Sequence, residues 1–205
     1  MPILAHAETK RVVSEMAAWD WGDAALDEWL TKGIEIAFCR DNIIKELPDR
    51  SGLVLRAPEI AFTDRVELDL GGVRCELIHV GGDHAADSSI VYIPQDRVVF
   101  LGDCLYVDLY HSPNRYTTTK LYPLIDRLLA LDADIYFEGH NPKPTTRQEL
   151  IEFTTLLRAI GDAVQTVDQD RTATFEALKK RTDLKLLDED IEYVDAFLEG
   201  LNNHD

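Results

Sequence analysis

Three residues of types that bind metal ions lie at the ends of apolar, β-branched runs. His84 precedes one run, Asp103 follows the next, and His140 closes the later run "IYFEGH". Imidazole suits zinc, iron or manganese, and a carboxylate can bridge two such ions. A glycine lies next to or close to each residue, and glycine lets the backbone turn sharply enough to point a neighbouring side chain into a pocket. A lone histidine at a strand end more often forms local hydrogen bonds, so the predicted metal site depends on all three together.

The stretch between Asp64 and His140 is predicted to form the strands that position these residues. In "DRVELDL" apolar and polar residues alternate, and Gly71-Gly72 is typical of a two-residue hairpin turn. "SIVYIP" and "RVVFL" follow as strands, and their near-continuous apolar character predicts a sheet buried on both faces. Because active sites of layered α/β folds gather at the carboxyl ends of strands, the three candidate ligands are expected to share one crevice.

Helices are predicted before and after this strand region, from apolar periodicity and capping residues. They are expected over Glu8–Ala18, from a cap at Asp23 to about Lys32, from about Thr119 to Leu131, over about Arg147–Val167, near Thr172–Thr182 and over Asp188–Leu201. Ile3 to Ala5 is predicted to be a short buried strand, and "KELPDRSG" a turn-rich connection. We predict one α/β domain over residues 1–205, in which 1–168 form the core part and 169–205 a carboxyl-terminal helical extension.

Composition narrows the classes of partner. The net charge of −17 over 205 residues argues against nucleic acid and against an anionic membrane, because such polyanions would be repelled. No apolar run approaches the roughly 18 residues that span a bilayer. The three cysteines form no CxxC pair, which favours a reducing cytoplasm over a disulfide framework. We therefore expect a cytoplasmic protein with a small-molecule substrate.

Four segments together resemble the metallo-β-lactamase-fold hydrolase superfamily. "GGDHAADSSIVYIP" resembles the family's "GHTPGS" segment and the strand after it, "RVVFLGD" its strand ending in Gly-Asp, and "IYFEGH" its terminal Gly-His. The opening "PILAHAETKRVV" resembles the strand and helix that follow the family's first metal motif. The resemblance covers roughly residues 1–160 and implies an αββα sandwich with extra carboxyl-terminal helices.

The resemblance also implies a role for each candidate ligand. His84 would be the third histidine of the first metal site, Asp103 the bridging carboxylate and catalytic residue, and His140 a terminal ligand of the second site. The cofactor would be zinc, or manganese or iron, with one or two ions bound. The family's main motif, His-x-His-x-Asp-His, is absent from this sequence. We therefore expect an amino-terminally incomplete fold that binds metal weakly or not at all and is weakly active or inactive.

For several neighbouring residues the sequence gives a weaker indication of their role. His111, in the loop after Asp103, and Tyr106 are predicted to line the pocket and touch substrate. Cys104 should point away from the ligands and pack in the core, and His79 is predicted to be a half-buried structural histidine. No GxSxG, P-loop or GxGxxG motif stands in a fitting context, so serine hydrolase, nucleotide-binding and dehydrogenase functions have no support.

Three hypotheses of function remain open at the level of sequence. The first is a metal-dependent hydrolase of an ester, thioester, lactone, amide or phosphodiester. The second is a non-catalytic short homologue that acts as a binding or oligomerisation module, with a homodimer covering an exposed edge or apolar patch. The third is that the natural chain begins upstream of Met1.

Overall fold

A computed structural model of the chain describes residues 2–110, 113–166, 170–184 and 186–202. The described residues form two compact units, one extending to Thr63 and the other beginning at Asp64. Both units combine helices with strands, which confirms the predicted α/β class. The single-domain organisation, with its boundary after residue 168, stays a prediction.

The amino-terminal unit contains short strands and helices: β1 Leu4–His6, α1 Ala7–Met16, α2 Asp23–Thr31, α3 Ala37–Glu46 and β2 Ile60–Phe62. The two strands pair in parallel, with His6 opposite Phe62. His6 also caps α1, since its Nδ1 accepts a hydrogen bond from the backbone N–H of Glu8 at 3.3 Å. Its Nε2 donates to the carbonyl of Thr63 at 3.0 Å. The imidazole thus fixes the point at which strand becomes helix.

Two details of this unit differ from the sequence-based expectation. Gly22, not Asp23, is the N-cap of α2, and Asp23 lies in the first turn, where its negative charge interacts favourably with the helix dipole. Helix α3 was not predicted at all. Its apolar residues are spread around the helix and form no stripe from which the sequence could predict it, and none of its residues is buried.

The second unit contains a six-stranded sheet and its packed helices. Its elements are β3 Arg65–Asp69, β4 Arg74–His79, β5 Ser89–Ile93, β6 Val98–Gly102, α4 Thr118–Ala130, β7 Ile135–Glu138, β8 Thr145–Thr146, α5 Arg147–Thr166, α6 Arg171–Lys179, a 3₁₀ turn Asp188–Asp190 and α7 Ile191–Asn202. The strands lie in the order β3-β4-β5-β6-β7-β8. All neighbours are antiparallel except β6 and β7, which run parallel.

The predicted hairpin between β3 and β4 is confirmed. Gly71 and Gly72 both have positive φ, 85° and 103°, which glycine adopts without strain. The carboxylate of Asp69 accepts hydrogen bonds from both glycine N–H groups, at 2.9 and 2.8 Å. The turn therefore sets the register that places Leu68 opposite Cys75.

The prediction of a sheet buried on both faces is wrong. On β6, Val99 and Leu101 are buried in the core against α4 and α5, whereas Phe100 between them is 44% exposed. Phe100 stacks on Phe137 of β7, with ring centroids 5.1 Å apart. Continuous apolar composition therefore conceals an ordinary alternation with one buried face, because the outward side chains are also apolar.

Helices α5, α6 and α7 pack on one another and share the core of the sheet. A side chain at Gly200 of α7 has no room, since a Cβ there would lie 1.8 Å from the carbonyl oxygen of Tyr116. The backbone N–H of Tyr116 also donates to the carbonyl of Ala196 at 2.9 Å. Helix α7 is thereby held against the segment before α4. Within the described residues, each helix is too short or too polar to cross a lipid bilayer.

Candidate functional site

The second unit brings three predicted ligands together where β4, β6 and β7 reach their carboxyl ends. His84 lies in the loop between β4 and β5, Asp103 directly follows β6, and His140 lies two residues beyond β7. Because β6 and β7 run parallel, their carboxyl ends meet, and the N–H of Gly139 donates to the carbonyl of Gly102 at 3.0 Å. The Nε2 atoms of His84 and His140 lie 3.9 and 3.5 Å from Oδ2 of Asp103.

Glycine is required on both sides of the Asp103 carboxylate. Gly102 has φ of 56°, the left-handed conformation that turns the chain out of β6. A Cβ at Gly139 would lie 2.0 Å from Oδ1 of Asp103, closer than any real contact. Because Gly139 has no Cβ, the Asp103 carboxylate can lie against the loop that follows β7.

The His84 ring has a defined orientation and tautomer. Its Nδ1 donates to the carbonyl of Val107 at 3.1 Å, since a carbonyl can only accept. A neutral ring protonated at Nδ1 leaves the lone pair on Nε2, the atom that faces Asp103. A backbone partner of this kind is what normally orients a histidine that ligates a metal.

Asp103 has an unmet hydrogen-bonding requirement. Its Oδ1 is buried and has no hydrogen-bond partner among the described residues. A buried carboxylate oxygen left unpaired is costly, so such an atom is a reason to expect a cation or a donor there in the working protein.

The described residues do not by themselves form a metal site. No group of three or more His, Cys, Asp and Glu side chains among them is arranged to hold one ion. If Asp103 were shared between two ions, each would have one imidazole and one carboxylate oxygen. Catalytic zinc usually has three protein ligands and a water, so these residues alone do not fit a held catalytic metal.

Tyr106 and His111 were predicted to line the pocket beside the trio of His84, Asp103 and His140. Tyr106 lies between the imidazoles, its ring centroid 6.1 Å from that of His84 and 5.5 Å from that of His140. Burial and the charges of Glu138 and Asp103 raise the pKa of the Tyr106 phenol, which therefore remains a hydrogen-bond donor at neutral pH. His111 lies outside the described residues, so its predicted contact with substrate stays a prediction.

Cys104 and His79 are structural. Cys104 is 2% exposed, and burial together with the Asp103 charge raises the pKa of its thiol to about 12. It is therefore a packed, protonated thiol, as predicted. His79 Nε2 donates to the carbonyl of Ala86 at 2.8 Å, which ties down the loop that carries His84.

A cleft of about 1150 Å³ opens beside the trio, and the contribution of the helices α5, α6 and α7 to its lining was not predicted from sequence. The loop after β6 and the helices α5, α6 and α7 enclose it. Its lining includes Tyr106, Glu138, Phe153, Glu192, Tyr193 and Leu198. The apolar stripe of α7 was visible in the sequence, but the polar positions beside the stripe acquire a role only once α7 docks next to the β6 loop.

Comparison with known proteins places this site in a family. The sequence profile described as "Metallo-beta-lactamase superfamily" matches residues 7–140, more than half of the chain. One curated relative, 2,4-dinitroanisole O-demethylase subunit alpha of Nocardioides sp. (strain JS1661), is 31% identical over 78 residues, 38% of this chain and 24% of the relative. Another, metallo-beta-lactamase type 2 of Bacteroides fragilis, is 35% identical over 54 residues, 26% of this chain and 21% of the relative.

The aligned part of the chain thus spans about a quarter or less of these relatives. The match to a solved metallo-beta-lactamase family protein from Thermus thermophilus covers 98% of this chain and 66% of that protein, with 20% identity and a TM-score of 0.50. The match to a metallo-beta-lactamase from Pontibacter korlensis covers 75% of this chain and 78% of that protein, with 20% identity and a TM-score of 0.41. The profile match shows the family, and the Thermus structure supports the predicted αββα sandwich fold: this chain belongs to the metallo-β-lactamase superfamily.

Proposed function

We propose that this chain provides part of the catalytic site of a metal-dependent hydrolase. His84 would ligate one ion and His140 the other, and Asp103 would bridge them. One observation carries the proposal: two imidazole Nε2 atoms lie within 4 Å of one oxygen of Asp103, while its other oxygen is buried without a partner among the described residues. The expected metal is zinc, or manganese or iron.

The remaining ligands would come from protein outside the described residues, because two donors per ion are too few. We therefore propose that the 205-residue chain by itself binds metal weakly and is a weak or inactive hydrolase. Its own residues would hold the His84 ring through Val107, keep the Asp103 carboxylate in the gap left by Gly139, and offer the Tyr106 phenol as a donor.

The bond that is hydrolysed stays open among ester, thioester, lactone, amide and phosphodiester. The relatives' names describe one O-demethylase subunit and one β-lactamase, which act on different bonds, so family membership does not choose. The net charge of −17 makes a polyanionic phosphodiester such as RNA the least favoured substrate.

Metal content after reconstitution tests the proposal. The chain is loaded with zinc or manganese, dialysed and measured by plasma mass spectrometry, beside the variants Asp103→Asn and Asp96→Asn. Asp96 is an exposed carboxylate in the turn between β5 and β6, at the other end of the strand, and serves as the matched control. We expect substoichiometric metal that Asp103→Asn abolishes and Asp96→Asn leaves unchanged. Equal retention by all three proteins would contradict the proposal.

The alternative is a non-catalytic binding or oligomerisation module that forms a homodimer. It is favoured by the incomplete ligand set among the described residues and by the exposed Phe100, which stacks on the half-buried Phe137 on the sheet. Light scattering after size exclusion separates the two proposals when combined with the metal measurement. A metal-free dimer that Phe100→Ser converts to a monomer supports the module, and a metal-retaining chain supports the hydrolase.

A further inference from the structure

The cleft beside the trio has a location that suits a substrate. Its lining combines Gly102, Tyr106 and Glu138, on or next to the β6 and β7 ends, with residues of α7. Tyr106 also borders both candidate imidazoles. The cleft therefore reaches the residue directly before Asp103, although the three candidate ligands are not part of its lining. At about 1150 Å³ the cleft is large enough for an organic molecule of drug-like size.

Aromatic rings provide the apolar surface of the cleft. Tyr193 of α7 packs edge-on against Phe153 of α5, with ring centroids 5.9 Å apart and planes at 65°. It also lies 6.3 Å from the ring of Tyr116. Leu105 and Leu198 extend the same lining. Rings held by one another in this way offer rigid surfaces for a flat or apolar group.

The charged residues that line the cleft are mostly acidic. The described lining includes five carboxylates, Glu138, Glu149, Glu192, Asp195 and Glu199, and one guanidinium, Arg171. Arg171 is already bound to Asp195, with Nη2 2.9 Å from Oδ2. With Asp195 paired to Arg171, the carboxylates of Glu138, Glu149 and Glu192 still place negative charge beside the aromatic lining.

The phenol of Tyr193 responds to this negative field. Its pKa is raised by burial and by the nearby carboxylates of Asp190, Glu138 and Glu192. A neutral phenol ring presents a negative face, which attracts cations. Aromatic faces and carboxylates in one cleft therefore favour the same kind of ligand.

We propose that this cleft binds the non-reacting part of the substrate and selects a hydrophobic group that carries a positive charge, such as an aryl or alkyl ammonium. The carboxylates, with Glu192 at the α7 wall, would attract the cation, and Tyr193 would stack on it. The same field would exclude anionic ligands. The preference for a cationic ligand depends only on the residues that line the cleft. The statement that this ligand is part of a substrate that reacts near Asp103 rests on the proposed hydrolase function.

Three probes of similar size test the preference: benzyltrimethylammonium, benzyl alcohol and benzenesulfonate, each titrated by calorimetry into the full metal-free chain. We expect the ammonium to bind about tenfold more tightly than the alcohol, in keeping with a desolvated cation–π contact assisted by carboxylates. The sulfonate should give no measurable binding. Equal affinity for ammonium and alcohol, or binding of the sulfonate, would overturn the proposal.

Variants assign the binding to this cleft. Tyr193→Leu should weaken ammonium binding about tenfold and Tyr193→Phe less than about threefold, because the ring is kept. Glu192→Gln should weaken it about threefold, and raised salt should remove that difference. Glu189→Gln is the matched control, since Glu189 is exposed on the preceding turn and outside the cleft lining. Unchanged binding in both Tyr193→Leu and Glu192→Gln would refute the site.

The two proposals fail independently. Asp103→Asn removes the candidate metal bridge without touching the aromatic wall, so ammonium binding should survive in that variant. Loss of metal retention together with intact ammonium selectivity would leave the cleft proposal standing. Intact metal retention without ammonium selectivity would refute the cleft proposal and leave the hydrolase standing.

Discussion

The two ends of the six-stranded sheet use aspartate in opposite ways. At the end near the β5–β6 turn, Arg97 donates to both oxygens of Asp134, at 2.6 and 2.8 Å, and pairs with Asp132 at 2.5 Å. At the other end, Asp103 has a buried oxygen with no partner in the described structure and two imidazoles close to its second oxygen. We call the end that contains Arg97, Asp132 and Asp134 the satisfied end, because these charged groups pair with one another. At the other end, the Asp103 carboxylate is available for a ligand.

Arg147 completes the satisfied end. Its guanidinium donates to the carbonyls of Leu129 and Leu131, both at 2.8 Å, and so pairs acceptors left free where α4 terminates. This kind of interaction holds a fold together, whereas a buried carboxylate oxygen without a hydrogen-bond partner costs stability. The contrast makes the following predictions.

The largest effect is expected at the satisfied end. Arg147→Met should lower the free energy of unfolding by about 2–4 kcal/mol, because it leaves partly buried carbonyls without donors. Chemical denaturation followed by circular dichroism measures the change. Arg181→Met, which removes an exposed guanidinium paired with Asp183, should have no measurable effect. A stable Arg147→Met protein would remove the contrast between the two ends.

Gly139→Ala should have the second largest effect on stability. The new methyl would collide with Oδ1 of Asp103 and displace either the carboxylate or the β7 loop, at a cost of about 1–3 kcal/mol. Metal retention should fall in the same variant, because the bridge moves. Gly52→Ala, where nothing lies within 4 Å of an added Cβ, is the control. A Gly139→Ala chain that keeps both stability and metal would show that the close approach is unimportant.

Asp103→Asn should leave the metal-free chain as stable as the natural one or make it more stable by up to about 1 kcal/mol. The reason is that it removes a partly buried charge with an unpaired oxygen. Thermal unfolding in the presence of a chelator measures this. A loss of more than about 1 kcal/mol would mean that Asp103 is part of the structural framework.

The smallest effect concerns pH at the satisfied end. Hydrogen bonds from Arg97 lower the pKa of Asp134 below its usual value near 4. A carboxyl whose folded pKa is depressed stabilises the fold above its unfolded pKa and loses that contribution as pH falls through the folded pKa. The stability difference between the natural chain and Asp134→Asn should therefore be constant from about pH 7 to 5 and shrink below about pH 4. A difference that grows in acid would contradict this assignment.

Local patterns in the sequence predicted the parts of the fold that local chemistry decides. The alternation before Gly71-Gly72, and the runs that end at Gly102 and at Gly139-His140, correspond to strands and turns that form where predicted. That His84 reaches within 3.9 Å of Asp103 follows from the meeting of loops at one sheet edge, which the order of strands implies.

What could not be predicted depends on long-range packing. Helix α3 has no apolar stripe in its sequence, and none of its residues is buried. The exposure of Phe100 depends on what covers the sheet and not on the type of its side chain. The cleft is a further case, because Tyr193 is far from Tyr106 in sequence and reaches the same cavity only after α7 docks. Side chains that meet across such distances leave no spacing rule in a single sequence.

The tight packing of Gly200 against the Tyr116 carbonyl positions α7 through contacts that do not involve the candidate metal ligands. The trio that would perform chemistry lies between residues 84 and 140, whereas the wall that would choose the substrate is α7, fixed by its own contacts to the segment before α4. If the cleft proposal holds, substitutions on the exposed turns of α7 would change the wall of the cleft without moving Asp103. Substitutions on α7 that keep Gly200 would leave the helix docked, so the wall of the cleft and the three candidate ligands could change separately.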